Sequence, residues 1–149
     1  MITREENRQL IARYPFLLPH YGRNIDGTPS RDFEYCFTEL DFMPKGWRSR
    51  FGIEMCEEIR EALLSSGKTY ADGLSALNRY RIFWIKMENL RMQWDDTGEV
   101  KEIIEKYQDL SEHICCHCGK PATRISLRHM SPLCDKCGYR GDKYKPLNG

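Results

Sequence analysis

The sequence predicts an α+β protein in which helices pack on a small antiparallel hairpin and a C-terminal ribbon is docked on this body. Three observations lead to this fold class. Apolar residues recur at helical spacing in two long segments, large apolar residues recur at every second position in two short stretches of residues 80–94, and two Cys-x2-Cys pairs lie near the C-terminus. We divide the chain into an α+β body, residues 1–110, and a ribbon module with a basic tail, residues 111–149.

The first helix is predicted at the N-terminus. Thr3 and Glu6 match a capping box, in which each side chain accepts a hydrogen bond from the backbone of the other residue. Leu10, Ile11 and Tyr14 would share one buried face, and the proline that follows would end the helix.

A loop and a short strand are expected next. Residues 20–31 are rich in glycine, proline, asparagine and aspartate, which indicates a loop. Phe33, Tyr35 and Phe37 alternate with polar residues, which predicts a short strand. Cys36 would then be a packing residue within it.

A long amphipathic helix is predicted after Pro44, because proline is tolerated in the first helical turn. Gly67 would end this helix. Its apolar stripe repeats every four residues and consists of Trp47, Phe51, Met55, Ile59 and Leu63. We interpret the stripe as core.

Residues 74–94 fit two patterns, a helix and a hairpin. Tyr80, Ile82 and Trp84 recur at every second position, and a second alternation, of Leu90, Met92 and Trp94, follows. We favour helix or loop up to about Asn78, followed by two strands. Four basic residues would lie on or near the opposite side of these strands, as a solvated face or, alternatively, a phosphate-contacting one: Arg79, Arg81, Lys86 and Arg91.

A last helix is predicted after the turn at residues 95–98. Its apolar stripe consists of Val100, Ile103, Ile104, Tyr107 and Leu110. The helix runs almost directly into Cys115, so the ribbon has little slack. We therefore expect it to be docked on the body rather than tethered to it.

The strongest signal is the pair of Cys-x2-Cys turns, Cys115 with Cys118 and Cys134 with Cys137, which are separated by fifteen residues. Two thiolates on each turn can bind one ion at about 2.3 Å and together complete a tetrahedron, the geometry of structural Zn²⁺. A glycine follows each pair and would let the chain curl back toward the sulfurs. A closed four-sulfur site leaves no position for a substrate, so we predict a structural zinc ion.

Four neighbouring residues remain alternatives as ligands: His113, Cys116, His117 and His129. We prefer Cys115 and Cys118 because they keep the two-residue spacing with a trailing glycine, which leaves Cys116 as the spare thiol. Redox or disulfide roles for the cysteines are disfavoured, because seven is an odd number and no βαβ pattern or secretory signal accompanies them.

The ribbon is predicted to carry a strand and a positive charge. Thr123, Ile125 and Leu127 alternate with polar residues, and the chain would return through residues 130–133. From Ser111 onward seven basic residues face three acidic ones, although the whole chain has a net charge of only +1. Part of this excess would offset the charge of a zinc–thiolate site. Residues 141–149 are expected to be loose. The candidate residues for contacting nucleic acid or a partner are Arg124, Arg128, Lys136, Arg140, Lys143 and Lys145.

Catalytic motifs were sought without success. The sequence contains no His-x-Glu of a zinc deaminase, no Walker loop, no nucleophile elbow and no dinucleotide fingerprint. We therefore expect a protein that is not an enzyme.

Three stretches, residues 43–59, 80–94 and 104–137, carry a resemblance to known proteins. They include Met-Pro-Lys-Gly-Trp-Arg at 43–48, Leu-Arg-Met-Gln-Trp at 90–94 and Cys-Asp-Lys-Cys at 134–137. Together they resemble small uncharacterised proteins of bacteriophages and prophages that carry a C-terminal four-cysteine zinc ribbon. The resemblance implies a phage accessory protein, a group in which anti-defence proteins of the anti-CRISPR type are prominent.

Two functions follow as hypotheses. The first is a phage protein that binds and inhibits a host defence protein or ribonucleoprotein. The alternative is a ribbon that binds nucleic acid directly in phage transcription or packaging. Since no apolar run approaches the ~20 residues of a membrane span, we expect no membrane association and a location in the host bacterial cytosol. Neither the target nor the oligomeric state can be derived from the sequence.

Overall fold

The protein has an α+β fold. The computed structural model describes residues 3–66, 77, 80, 82–84, 92–94 and 98–147. Helices lie in the body, and a small three-stranded antiparallel sheet and a cluster of four cysteines lie toward the C-terminus. The predicted fold class is therefore confirmed.

The first helix, α1, spans Arg4–Arg13 and begins at the predicted capping box. The Thr3 hydroxyl accepts from the Glu6 N–H at 3.1 Å, and the Glu6 carboxylate accepts from the Thr3 N–H at 2.6 Å. Two backbone donors that have no partner within the helix are thereby satisfied. Ile11 and Tyr14 are buried, as the stripe predicts.

The second helical region changes helix type along its length. Helix α2 spans Lys45–Trp47, a π-helical turn spans Arg48–Gly52, and helix α3 spans Ile53–Ser66. A repeat of four residues drifts around an α-helix of 3.6 residues per turn, and the wider π-turn offsets that drift. The predicted stop at Gly67 lies outside the described residues. The predicted stripe is confirmed, since at most 1% of each side chain is exposed in Trp47, Phe51, Met55, Ile59 and Leu63.

The third long helix, α4, spans Gly98–Ser111 and packs against α3. Val100, Ile104 and Tyr107 are buried, and the rings of Tyr107 and Phe51 lie 5.3 Å apart. Burial of each such side chain contributes about 1.5–3 kcal/mol, so this contact is a main source of stability for the body.

The end of α4 differs from the predicted stripe. Leu110 is 36% exposed, whereas Ser111 is buried and its hydroxyl donates to the carbonyl of Gln108 at 2.6 Å. The helix also passes the predicted domain boundary by one residue, and the division at residue 110 stays a prediction. None of the helices in the described part of the chain is both long and apolar enough to cross a membrane.

Within residues 74–94 we favoured a hairpin at the C-terminal end, and its two strands are confirmed. Strand β1, Ile82–Trp84, pairs antiparallel with β2, Met92–Trp94, with Phe83 opposite Gln93. Tyr80, just before β1, is completely buried. The predicted turn at residues 88–89, the basic positions 79, 81, 86 and 91, and the turn at residues 95–97 lie outside the described residues.

The strand predicted around Phe33, Tyr35 and Phe37 is wrong. None of these residues belongs to a strand, and Tyr35 has φ of 58°, a left-handed conformation that interrupts an extended chain. The side-chain amide of Asn7 in α1 holds this segment by donating to the Tyr35 carbonyl at 2.9 Å. Cys36 is exposed, so its predicted packing role is also wrong.

The C-terminal sheet has the strand order β4-β3-β5. Strand β3 spans Arg124–Ser126 and β4 spans Pro132–Leu133, as the ribbon hairpin predicts. Strand β5, Tyr144–Pro146, pairs with the other edge of β3. The predicted loose tail is therefore wrong for these residues, because backbone pairing with β3 orders a segment that has no apolar periodicity of its own.

The body contains a buried carboxyl group, that of Glu39. Glu39 is 7% exposed, and no hydrogen-bond donor reaches its carboxylate in the described part of the chain. Burial raises the pKa of Glu39 to about 7, and the nearby charge of Arg23 offsets only part of this effect. Tyr21 also lies within electrostatic reach of Glu39.

We expect Glu39→Gln to stabilise the protein at pH values above about 7. The ordinary pKa of a glutamate is 4.5, and that of Glu39 in the native state is about 7. Between these two pH values the native state keeps the Glu39 proton, whereas the unfolded state releases it. Stability due to this group therefore falls as the pH rises through that window, and the variant removes the loss, up to about 3 kcal/mol. Urea unfolding of both proteins at about pH 5 and about pH 8 measures the difference. The exposed Glu34→Gln should leave the pH dependence unchanged, and equal slopes for wild type and Glu39→Gln would refute the prediction.

Candidate metal centre

The sulfur atoms of the four predicted ligands lie together. Those of Cys115, Cys118, Cys134 and Cys137 are all within 4.8 Å of one another, and those of Cys118 and Cys134 are 3.6 Å apart. A tetrahedron with metal–sulfur bonds of about 2.3 Å has edges of about 3.8 Å, so small adjustments suffice to enclose an ion. Cys115 and Cys134 are buried and Cys118 is exposed. The donor set fits a tetrahedral metal ion.

The first cysteine turn is closed by backbone hydrogen bonds and a glycine. The N–H of Gly119 donates to the Cys115 carbonyl at 2.9 Å, and the N–H of Cys115 donates to the Lys120 carbonyl at 2.8 Å. Gly119 has φ of 82°, as the position after the pair predicts. This turn therefore needs glycine for its backbone conformation.

The second turn uses its glycine for a different reason. Gly138 is not among the glycines with positive φ in the described residues, but a Cβ there would collide with the hydroxyl of Tyr144. That hydroxyl accepts from the N–H of Tyr139 at 2.9 Å. Strand β5 thus packs over the second cysteine turn, and Gly138 provides the space.

Arg124, a candidate binding residue, has partners within the ribbon. Its guanidinium donates to the Cys137 carbonyl at 2.8 Å and lies 3.7 Å from the centre of the Tyr144 ring. These contacts connect β3, β5 and the second cysteine turn. A binding role for Arg124 stays a prediction, and its geometry assigns it a structural one.

The alternative ligands lie outside the sulfur cluster. His117 Nε2 is 3.0 Å from the Tyr139 hydroxyl, and the His129 ring is centred 4.1 Å from the same aromatic ring. Cys116 is buried, and its backbone N–H donates to the Pro132 carbonyl at 3.0 Å. The structure thus brings together the four preferred cysteines, and the Cys116 sulfur is not a member of their cluster.

The thiols of the cluster influence one another's protonation. Burial, together with the neighbouring Cys134 and Cys118 sulfurs, raises the pKa of Cys137 to about 12. Burial also opposes ionisation of Cys134, but hydrogen bonds from the Lys136 N–H and from neighbouring thiols outweigh it and lower the pKa to about 7. Ionisation of Cys134 is therefore favoured over that of Cys137. A bound metal removes this difference because a coordinated thiol is deprotonated.

The first cysteine turn is joined to the body by two hydrogen bonds from α2. The Gly46 N–H donates to the Cys116 carbonyl, and Trp47 Nε1 donates to the Ile114 carbonyl, both at 2.8 Å. Both carbonyls belong to the segment that enters the turn. Docking of the ribbon, expected from the short connection, is thus achieved by backbone and indole contacts.

Close backbone approach makes this docking specific. A Cβ on Gly46 would lie 2.7 Å from the Gly119 nitrogen and nearer still to the Cys115 oxygen. A Cβ on Gly119 would lie 2.8 Å from the Gly46 oxygen. Two glycines in contact let α2 reach the metal-binding turn. Gly46 was not predicted to be part of the site, since glycine has no polar side chain that would reveal it.

The other basic candidates are exposed. Arg128, Lys136, Arg140, Lys143 and Lys145 all have exposed side chains. In the part of the chain that the structure describes, none of them forms an ion pair. Lys145 lies in β5, and Lys143 immediately precedes that strand.

Comparison with protein-family models, with curated proteins and with solved structures finds no match for this chain. The class of protein is therefore defined by the fold and the site alone. It is an α+β body joined to a ribbon with a four-cysteine site suited to a metal ion.

Proposed function

We propose that this chain is a non-enzymatic accessory protein of phage origin that binds and inhibits a host defence ribonucleoprotein, in the manner of an anti-CRISPR protein. The observation that carries the proposal is the combination of a rigidly docked ribbon with exposed, unpaired cations. The phage origin rests on the resemblance of residues 43–59, 80–94 and 104–137 to phage and prophage proteins. If the host defence target contains no RNA, the body with its docked ribbon would bind the protein target directly.

The metal in this proposal is Zn²⁺. Four thiolates in a tetrahedral arrangement suit zinc, and no ligand position remains for a substrate. Cys115, Cys118, Cys134 and Cys137 would hold the ion. Its role would be to stabilise the ribbon and to keep β3 and β5 in a defined position relative to the body.

The exposed cations are suited to a ribonucleoprotein partner. Arg128, Lys136, Arg140, Lys143 and Lys145 are free to neutralise phosphates or carboxylates of a partner, whereas Arg124 is engaged within the ribbon. Contacts of this kind accelerate association and are sensitive to salt. A rigid ribbon also lowers the entropic cost of binding.

We expect the neutralised variant Lys143→Gln/Lys145→Gln to lose most of its partner binding. Tagged protein is used to capture partners from lysates of several bacterial hosts, and bound protein and RNA are quantified. Arg4→Gln/Lys101→Gln is the matched control, since it removes the same charge from exposed positions of α1 and α4. A stoichiometric partner retained by the control and reduced at least about tenfold with the ribbon variant supports the proposal. Equal capture by both variants, or no stoichiometric partner in any host, contradicts it.

A second candidate function, direct binding of nucleic acid, is favoured by the same exposed cations. Purified protein would then bind a single-stranded RNA or a DNA duplex without any host component. The logarithm of the affinity should fall linearly with that of the salt concentration, and the slope should decrease by about 2 in Lys143→Gln/Lys145→Gln. Fluorescence anisotropy measures both quantities. Absence of binding at low salt excludes this candidate and leaves the first untouched.

A further inference from the structure

A row of aromatic rings crosses the surface of the body far along the chain from the ribbon. Tyr21 is 65% exposed, and its ring lies 6.1 Å from that of Phe33 and 5.5 Å from that of Phe37. The row continues from Phe33 to Tyr35 at 4.8 Å and from Phe37 to Phe42 at 5.5 Å. Aromatic side chains grouped in this way are characteristic of binding surfaces.

Two rings of the aromatic row, those of Tyr21 and Phe33, line an acidic groove. The groove has a volume of about 330 Å³, and its lining includes Tyr21, Phe33, Asp32 and Glu34. Neither carboxylate forms an ion pair within the described residues, and the contact recorded for Glu34 is with the Cys36 thiol at 3.9 Å. The groove thus combines ring faces with unpaired negative charge.

The wall of the groove depends on a close contact. The Phe33 ring lies against the backbone of Gly22, where a Cβ would come within 2.6 Å of the ring. Gly22 is itself buried. Phe33 is therefore seated on the body, so the groove is part of the folded structure and does not arise from a chance arrangement of surface side chains.

A buried carboxyl group lies next to the groove. Glu39 is 7% exposed and has no hydrogen-bond donor among the described residues, although most buried carboxylates have one. Burial raises the pKa of Tyr21, and the charges of Cys36 and Glu39 raise it further, which places Glu39 within electrostatic reach of the groove wall. The nearest cation, Arg23, donates to the carbonyls of Leu18, Pro15 and Tyr80. The charge of Arg23 offsets part of the effect of burial on Glu39.

We propose that this groove binds an arginine side chain of a protein partner, stacked on the exposed ring of Tyr21 beside Phe33 and paired with Asp32 and Glu34. A guanidinium group fits because it is planar, stacks on ring faces and donates in a fork to carboxylates. The protein itself contains a precedent, since the Arg8 guanidinium lies 4.3 Å from the centre of the Tyr35 ring in the same row. The inference rests on the proposed function only in taking the partner to be a protein.

The test uses a minimal probe and no cellular partner. Acetyl-arginine-methylamide is titrated into the full-length protein and followed by two-dimensional NMR, and acetyl-citrulline-methylamide serves as the neutral probe of the same shape. We expect saturable changes in the chemical shifts of Tyr21, Gly22 and Phe33 when the arginine probe is added. The dissociation constant should be about 1–10 mM, because a single desolvated cation contact supplies most of the binding energy. The citrulline probe should bind at least about tenfold more weakly.

Two double variants distinguish binding of the probe in the groove from general electrostatic attraction to the protein. Asp32→Asn/Glu34→Gln should weaken the arginine probe about tenfold, because it removes the two unpaired charges at exposed positions without disturbing the core. Glu5→Gln/Glu99→Gln, which removes equal charge from α1 and α4, should bind the probe as wild type does. Equal binding of both probes, no saturable shift at tens of millimolar, or an unaffected acidic-groove variant each overturns the proposal. Failure here leaves the ribbon-dependent capture experiment unaffected, so the two proposals can fail separately.

Discussion

Replacing Cys118 by serine is expected to destabilise the protein by more than about 4 kcal/mol and to abolish stoichiometric metal binding. Cys118 is the exposed member of the sulfur cluster. Loss of an exposed thiol costs little in a protein without a metal, since surface substitutions are usually within about 0.5 kcal/mol of neutral. A large effect at this position therefore reports metal binding rather than packing.

One control variant and two measurements test this prediction. Cys36→Ser changes another exposed cysteine that lies outside the cluster and should leave stability unchanged. Elemental analysis gives the metal content, and thermal melting with and without a strong chelator gives its contribution to stability. We expect chelator to lower the melting temperature of wild type and of Cys36→Ser to that of Cys118→Ser. Purified protein without metal, or equal melting of the two variants, would overturn the assignment of the site.

The second large effect is expected for Gly46→Ala. This substitution should destabilise the protein by about 3 kcal/mol or more and lower its affinity for the metal. The added methyl group would meet the backbone of Cys115, Cys116 and Gly119. Backbone next to metal ligands cannot move aside as a flexible side chain can. Either α2 separates from the ribbon, with loss of the Gly46–Cys116 hydrogen bond, or the cysteine turn is distorted.

Gly52→Ala is the matched control for this substitution. Gly52 lies in the same helical region, and an added Cβ there would make ordinary contacts of 3.5 Å with Arg48 and Leu40. Alanine is favoured over glycine in a helix by about 0.5–1 kcal/mol, so this variant should be as stable as wild type or more stable. Urea unfolding measures both stabilities, and a chelator competition assay measures metal affinity. Similar values for the two variants would show that the contact between α2 and the ribbon does not limit stability.

Local rules accounted for the helices and for the metal ligands. The capping box at Thr3 and Glu6 depends on neighbours three residues apart, and the stripe from Trp47 to Leu63 depends on helical periodicity alone. The preference for Cys115 and Cys118 over Cys116 came from spacing within one turn, and the sulfur cluster agrees with it. Such features are encoded within a few residues, and the sequence therefore suffices to find them.

Prediction failed where distant parts of the chain determine conformation. The alternation of Phe33, Tyr35 and Phe37 has the period of a strand, yet Asn7 of α1 binds the Tyr35 carbonyl and the rings pack on one another. In β5 the reverse occurs, since pairing with β3 orders a polar segment that was expected to be loose. Arg124 was identified by its charge, and only its position beside Tyr144 and Cys137 reveals its structural contacts.

The sequence by itself therefore determined the α+β class, the amphipathic helices and the four cysteines that can hold a metal ion. Only the tertiary structure decided where the ribbon is docked, how its last strand is ordered and which aromatic residues meet at the acidic groove. The physical reason is the range of the interactions involved. Helix caps, helical stripes and Cys-x2-Cys turns are formed by residues close together in the chain, whereas Gly46 meets Gly119, and Glu39 lies near Tyr21, only after the chain has folded.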